Sequence, residues 1–117
     1  MCILLLIRVF SLLWCVLSST PGKKILALAV TEPQAGSDVA DLKTTAERDG
    51  DYYVINGLKK FISGGMKADW FTVAVRTGGK GMGGVSLILV DAKSEGIRRT
   101  RMKTQGWWIS TTTVRNN

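Results

Sequence analysis

The sequence predicts a mainly β domain, an antiparallel sandwich or barrel built from short strands. Apolar segments of strand length recur, with turn signals about every 8–12 residues. Thirteen glycines against two prolines allow many turns in a short chain. No stretch carries the periodicity of an amphipathic helix.

Residues 1–20, "MCILLLIRVFSLLWCVLSST", differ in composition from everything after them. Arg8 interrupts the apolar run and leaves "VFSLLWCVL", shorter than the roughly 20 residues that span a bilayer. The piece has the length of a secretory signal core, although the charge expected before that core is Arg8 itself. An interfacial anchor and a sequence foreign to the domain remain open. The boundary falls at Pro21–Gly22, with an apolar N-terminal segment over 1–21 and the β domain over 22–117.

From Gly22 onward the pattern is β. "ILALAV" (25–30) is a continuous apolar run bounded by turn residues and reads as a buried strand. "LKTTAER" alternates and ends at the turn Asp49-Gly50-Asp51. "YYVI" and "LKKFIS" flank Asn56-Gly57, the signature of a hairpin with a type I′ turn and positive φ. That register puts Phe61 and Ser63 on one face of the returning strand. "DWFTVAVRT" and "GVSLILVD" are two more strands, joined through "GGKGMGG" in a loose hairpin, and "GIRRTRM" is another. Gly79 to Gly84 satisfy G-x-G-x-x-G, but a β-branched strand follows where a dinucleotide site needs a helix.

At 117 residues the chain holds one domain with a modest core. It contains no histidine, and its two cysteines are Cys2 and Cys15. A disulfide framework and a Cys-rich zinc site are excluded for the body, and no metal site is expected. Catalysis must rely on carboxylates, hydroxyls, backbone groups or a bound cofactor. The net charge of +7 draws on Arg98, Arg99, Arg101 and Lys103 and on the pairs Lys23–Lys24 and Lys59–Lys60. Such a surface favours anionic partners or is a solvated strand face. With no interleaved aromatics and no nucleic-acid motif, nucleic acid is not an expected partner.

The stretch "VTEPQAGSD" (30–38) is small, polar and stiff. Either it is an ordinary loop or its backbone must come close to a ligand. Glu32 and Asp38 read as loop-fixing acceptors and receive no catalytic role. Ala35 and Gly36 lack bulk, so backbone N–H groups can approach an anion closely.

Four pieces stand in one order: "AVTEPQAGSDV", "INGLKKFISGG", "ADWFTVAVRTGG" and "GVSLILVD". This arrangement closely resembles the middle β-domain of the acyl-CoA dehydrogenase family, over about Gly22 to Thr113. The resemblance implies an FAD-dependent α,β-dehydrogenation of acyl-CoA thioesters. It implies that Leu28, Ala29, Val30, Thr31, Gly36 and Ser37 contact the flavin and lead toward the FAD pyrophosphate, and that Ser37 also lies near acyl-CoA. Phe61, Ile62 and Ser63 form the second contact, a ring against the flavin and a hydroxyl near its reactive nitrogen. This chain has Phe61 where many members have tryptophan and Ser63 where many have threonine. Both changes keep a flat apolar face and a hydroxyl donor.

In the family the carboxylate base belongs to a helical domain C-terminal to this one, and an N-terminal helical domain completes the pocket. No catalytic residue is therefore expected here. The chain reads as a middle domain incomplete at its C-terminus and unable to turn over substrate alone. A truncated gene model, a splice product or a decayed copy would all look like this. The family's full-length members are homo-oligomers, an assembly doubtful for such a fragment. Its compartments are mitochondrial, peroxisomal or cytoplasmic, or secretory or membrane-associated if residues 1–20 are a signal. Two other readings remain: a secreted or anchored β-domain that has lost flavin, and a basic surface-binding module using residues 98–103.

Overall fold

The computed structural model describes residues 3–6, 21–103 and 111–115. Its strands are β1 (Ile3–Leu6), β2 (Leu26–Ala29), β3 (Thr45–Asp49), β4 (Tyr52–Asn56), β5 (Leu58–Ser63), β6 (Trp70–Arg76), β7 (Val85–Asp91), β8 (Arg98–Arg101) and β9 (Thr111–Arg115). Single 3-10 turns lie at Val39–Asp41 and Met82–Gly84. The fold is mainly β, in two open sheets. One runs β1-β4-β3-β6-β2 with β7 on the other edge of β6, and the second runs β5-β9-β8.

Most pairings are antiparallel, but β2 lies parallel to β6, with Leu26 opposite Trp70 and Ala29 opposite Val73. Past that point β3 takes over the same edge, with Thr45 opposite Arg76. Two successive strands thus share one edge of β6, and the chain between them must leave the sheet. That excursion is the 30–44 loop, and topology alone throws it outward. Asp69 fixes where β2 starts: its carboxylate accepts the Ile25 N–H (2.9 Å) and the Lys24 ammonium (3.2 Å). Those two hydrogen bonds hold the Asp69 carboxyl below its usual range.

The core lies between the sheets. Ala27, Ala29, Phe71, Val73, Val75, Ile88 and Val90 come from one face of β2, β6 and β7, and Ile62 of β5 joins the same cluster. Phe71, with no exposed surface, is worth about 1.5–3 kcal/mol of apolar burial. A second cluster, Ala35, Leu42 and Ala74, sits on the opposite face of β6 beneath the 30–44 loop.

Two expectations need correction. "ILALAV" is a strand, but only one face of it is buried: Ala27 and Ala29 point inward while Leu26 and Leu28 are 49% and 62% exposed. A continuous apolar run does not distinguish a strand buried on both faces from one with an exposed apolar face. The second concerns Asn56-Gly57, which is no hairpin. β4 pairs with β1 and β3, and β5 pairs with β9, so Gly57 is a corner where the chain passes between sheets. Its φ is not positive. Glycine is needed there for space, because an added Cβ would lie 2.6 Å from Thr44 Cγ2. The tight hairpin is β3–β4, turned through Gly50 (φ 59°) and Asp51.

The expected loose hairpin of β6 and β7 is present, in register from Trp70–Asp91 to Arg76–Val85. Of the basic cluster, Arg99 donates to the carbonyls of Gly65, Met66 and Ala68 and so ties β8 to the loop after β5. Ile3–Leu6 adds an antiparallel edge to β4. "VFSLLWCVL", Cys2 and Cys15 lie outside the described residues. Among the described residues, no helix is long and apolar enough to cross a membrane.

Candidate functional site

The loop that leaves β2 folds first into a tight turn. The Glu32 N–H donates to Ala35 O (2.8 Å) and the Ala35 N–H to Glu32 O (3.3 Å), leaving Pro33 and Gln34 outermost. Ala35 is small for a reason internal to the chain: its methyl is buried beside Leu42 and Ala74, and its N–H is committed. Gly36 differs. Its φ lies outside the left-handed region, and a Cβ there would meet nothing within 4 Å. Nothing among the described residues asks for glycine at this position.

Among the described residues, the N–H groups of Gly36, Ser37 and Asp38 and the hydroxyls of Thr31, Ser37 and Ser63 have no hydrogen-bond partner. Successive backbone N–H groups left free in a turn are available to an anion.

Below the turn, Glu32 is only 4% exposed. Its Oε1 accepts the Lys59 ammonium (2.7 Å), the Thr44 N–H (3.0 Å) and the Thr44 hydroxyl. Oε2 accepts the Lys43 N–H (2.7 Å) and the Gln34 amide (2.6 Å). Burial alone would raise this carboxyl, but the hydrogen bonds from Lys59, Thr44 and Lys43 outweigh it and hold the pKa at about 2. Burial lowers the Lys59 pKa, and Glu32 opposes that shift only in part. Glu32 is thus the loop-fixing acceptor expected of it, with its lone pairs engaged.

The second segment is β5. Lys59 and Ile62 are both buried, at 2% and 1% exposure, although strict alternation would put them on opposite faces. A bulge accounts for this: the register against β9 shifts between Lys59 and Ile62, and Phe61 takes φ 59°. A bulky residue in the left-handed region is an outlier and costs on the order of 1–3 kcal/mol. The bulge turns the Phe61 ring outward, 50% exposed, with the Lys60 ammonium 4.7 Å from its centroid. Ser63 is exposed as well. Phe61 and Ser63 are both outward, but a bulge puts them there and not a hairpin register.

The two segments are bolted together. Lys60 N–H donates to Thr31 O (2.8 Å), and Lys59 Nζ donates to Val30 O (3.0 Å). Leu28, Val30 and Thr31 therefore run beside the Lys59–Phe61 stretch, with Gly36 and Ser37 farther round the turn. Ala29 and Ile62 point their side chains into the core, so only their backbone can face a ligand. Sequence reasoning missed Lys59, grouped above with Lys60 as surface charge. Its signal lay in "LKKFIS", where counting by twos fails across the bulge.

Comparison with known proteins shows the family and the fold. The chain belongs to the acyl-CoA dehydrogenase family: residues 27–114 match the family's middle domain. It is 51% identical over 88 residues to an acyl-CoA dehydrogenase of Emericella nidulans, covering 73% of this chain and 20% of that protein. To the mitochondrial isobutyryl-CoA dehydrogenase of Bos taurus it is 41% identical over 88 residues, covering 75% and 21%. Among solved structures, a probable acyl-CoA dehydrogenase from Mycobacterium abscessus superposes with a TM-score of 0.87 at 46% identity, covering 94% of this chain and 30% of that one. The chain spans about a fifth of the length of these curated relatives.

Proposed function

We propose that this chain binds FAD and forms the flavin-contacting part of an oxidoreductase that interconverts acyl-CoA thioesters and their α,β-unsaturated forms. The observation that carries the reading is Phe61. The fold holds it in a strained conformation with its ring half exposed, next to Lys60, whose N–H is bonded to Thr31 O at the start of the turn. Strain of this kind concentrates at ligand sites.

The residues present fit the cofactor. Gly36 leaves open surface where a side chain would stand, and the N–H groups of Gly36, Ser37 and Asp38 suit a pyrophosphate. Leu28, Val30 and the Phe61 ring offer an apolar platform, and the Thr31 and Ser63 hydroxyls can donate to ring heteroatoms. Bound FAD supplies the hydride-accepting chemistry. Ser37 is the residue of this set proposed to reach acyl-CoA as well.

Glu32 cannot serve as the base that takes the α-proton, since its two oxygens already accept five hydrogen bonds. No catalytic residue is assigned to this chain, and the chain alone is proposed not to desaturate substrate.

The test is direct. The purified chain, incubated with FAD and passed through a desalting column or ultrafilter, should retain yellow flavin weakly. With an acyl-CoA and an artificial electron acceptor it should form no enoyl-CoA. Measurable desaturation would place a base in this chain. Absence of any flavin interaction would favour a β-domain that has lost its cofactor.

A further inference from the structure

Glu32 and Lys59 are two buried charges to which no part of the chemistry above assigns a role. Each side chain is 2% exposed, and the Nζ–Oε1 distance is 2.7 Å. Burying such a pair is weak evidence of stabilisation, because desolvation offsets much of the attraction. What the pair does geometrically is clearer. Glu32 holds its own turn through Gln34 and holds the 43–44 segment through the N–H groups of Lys43 and Thr44. Lys59 adds β5 to the same oxygen and, through Val30 O, returns to the exit of β2. Next after Lys59 come Lys60 and the bulged Phe61.

We infer that Glu32 and Lys59 are positioning residues for the cofactor site. The single salt bridge fixes the distance between the free N–H groups of Gly36–Asp38 and the outward ring of Phe61. The inference rests on the flavin reading above. An apolar pair of similar volume could fill the same space but could not hold three backbone segments from one oxygen pair, because apolar contacts do not direct geometry.

The experiment compares the 117-residue chain with the double variant Glu32→Gln/Lys59→Met, which removes both charges and leaves neither unpaired. Thr44→Val is the milder second variant, for use if the double fails to fold. Two readouts are taken: FAD affinity by flavin fluorescence, and amide NMR shifts without FAD. The expected result is a fall in FAD affinity of at least tenfold in a folded double variant. The amides of Gly36, Ser37, Asp38 and Phe61 should shift while core amides of Phe71 and Val75 stay in place. A role in stability alone would leave the shifts of the folded state unchanged. Thr44→Val should move the same amides by less. If the parent shows no FAD binding, the flavin reading fails and the shifts still decide the positioning claim. Unmoved Gly36–Asp38 and Phe61 amides, or undiminished FAD affinity in a parent that binds, overturn it.

Discussion

Replacing Gly57 by alanine tests how the corner between the sheets is built. The new Cβ would lie 2.5 Å from Thr44 Cβ and 2.6 Å from Thr44 Cγ2. Thr44 cannot easily retreat. Its N–H and hydroxyl both donate to Glu32, and its carbonyl accepts the Arg76 N–H at 2.7 Å. Overpacking of this kind costs about 1–3 kcal/mol. Displacing the Thr44 hydroxyl also weakens a hydrogen bond to a charged group, worth about 1.5–3 kcal/mol. A net loss of about 3 kcal/mol follows. At a urea m-value of about 1.5 kcal/mol/M, the unfolding midpoint should fall by about 2 M. Gly50→Ala is the control. Gly50 has φ 59° and open space around it, so alanine there meets conformational strain alone, about 1–2 kcal/mol. Urea titrations followed by far-ultraviolet circular dichroism give both midpoints. A Gly57→Ala shift no larger than that of Gly50→Ala would refute the close approach to Thr44 as the reason for glycine.

Phe61→Asn should raise the thermal midpoint of the free chain slightly, since asparagine tolerates left-handed φ, while lowering FAD affinity; calorimetry and flavin titration check the opposed signs. Glu32 is held at about 2 against an ordinary value of 4.5, so its contribution is present above the ordinary value and drains away as the pH falls from about 4.5 toward 2. Acid titration of stability should show that loss in the parent and much less of it in Glu32→Gln. Deleting residues 1–21, whose described part adds only the edge strand β1, is proposed to retain the β-type spectrum and FAD binding. β1 stands at the opposite end of its sheet from β2, and loss of folding would show the segment to belong to the core.

Strands β2 to β8 were legible because each obeys a local rule, whereas β1, inside the apolar N-terminal segment, and β9 were not expected. Apolar residues alternate or run for strand length, and turn residues bound them. Asp49-Gly50-Asp51 announced its turn, since a two-residue turn is a local event, although the hairpin it closes was not expected. What failed was non-local. Asn56-Gly57 has the residues of a type I′ turn, but β5 finds its partner in β9, far along the chain, and pairing overrides the local preference. The parallel run of β2 on β6 was hidden for the same reason. In the candidate site, the turn stood out by composition and the Phe61–Ser63 stretch only through the family resemblance. The Glu32–Lys59 bridge did not, because the bulge that buries Lys59 breaks the alternation from which burial is read.

The most direct test of the flavin reading is an FAD titration of the chain beside its Gly36→Leu variant. A Cβ added at Gly36 would meet no described protein atom within 4 Å, so the variant should fold as the parent does. It should also fill the surface over which the Gly36–Asp38 N–H groups face a phosphate. The account predicts weak, saturable perturbation of flavin fluorescence by the parent and none by Gly36→Leu, with matching circular dichroism spectra. Equal binding by the two folded proteins, or no perturbation by the parent at any concentration reached, would contradict it.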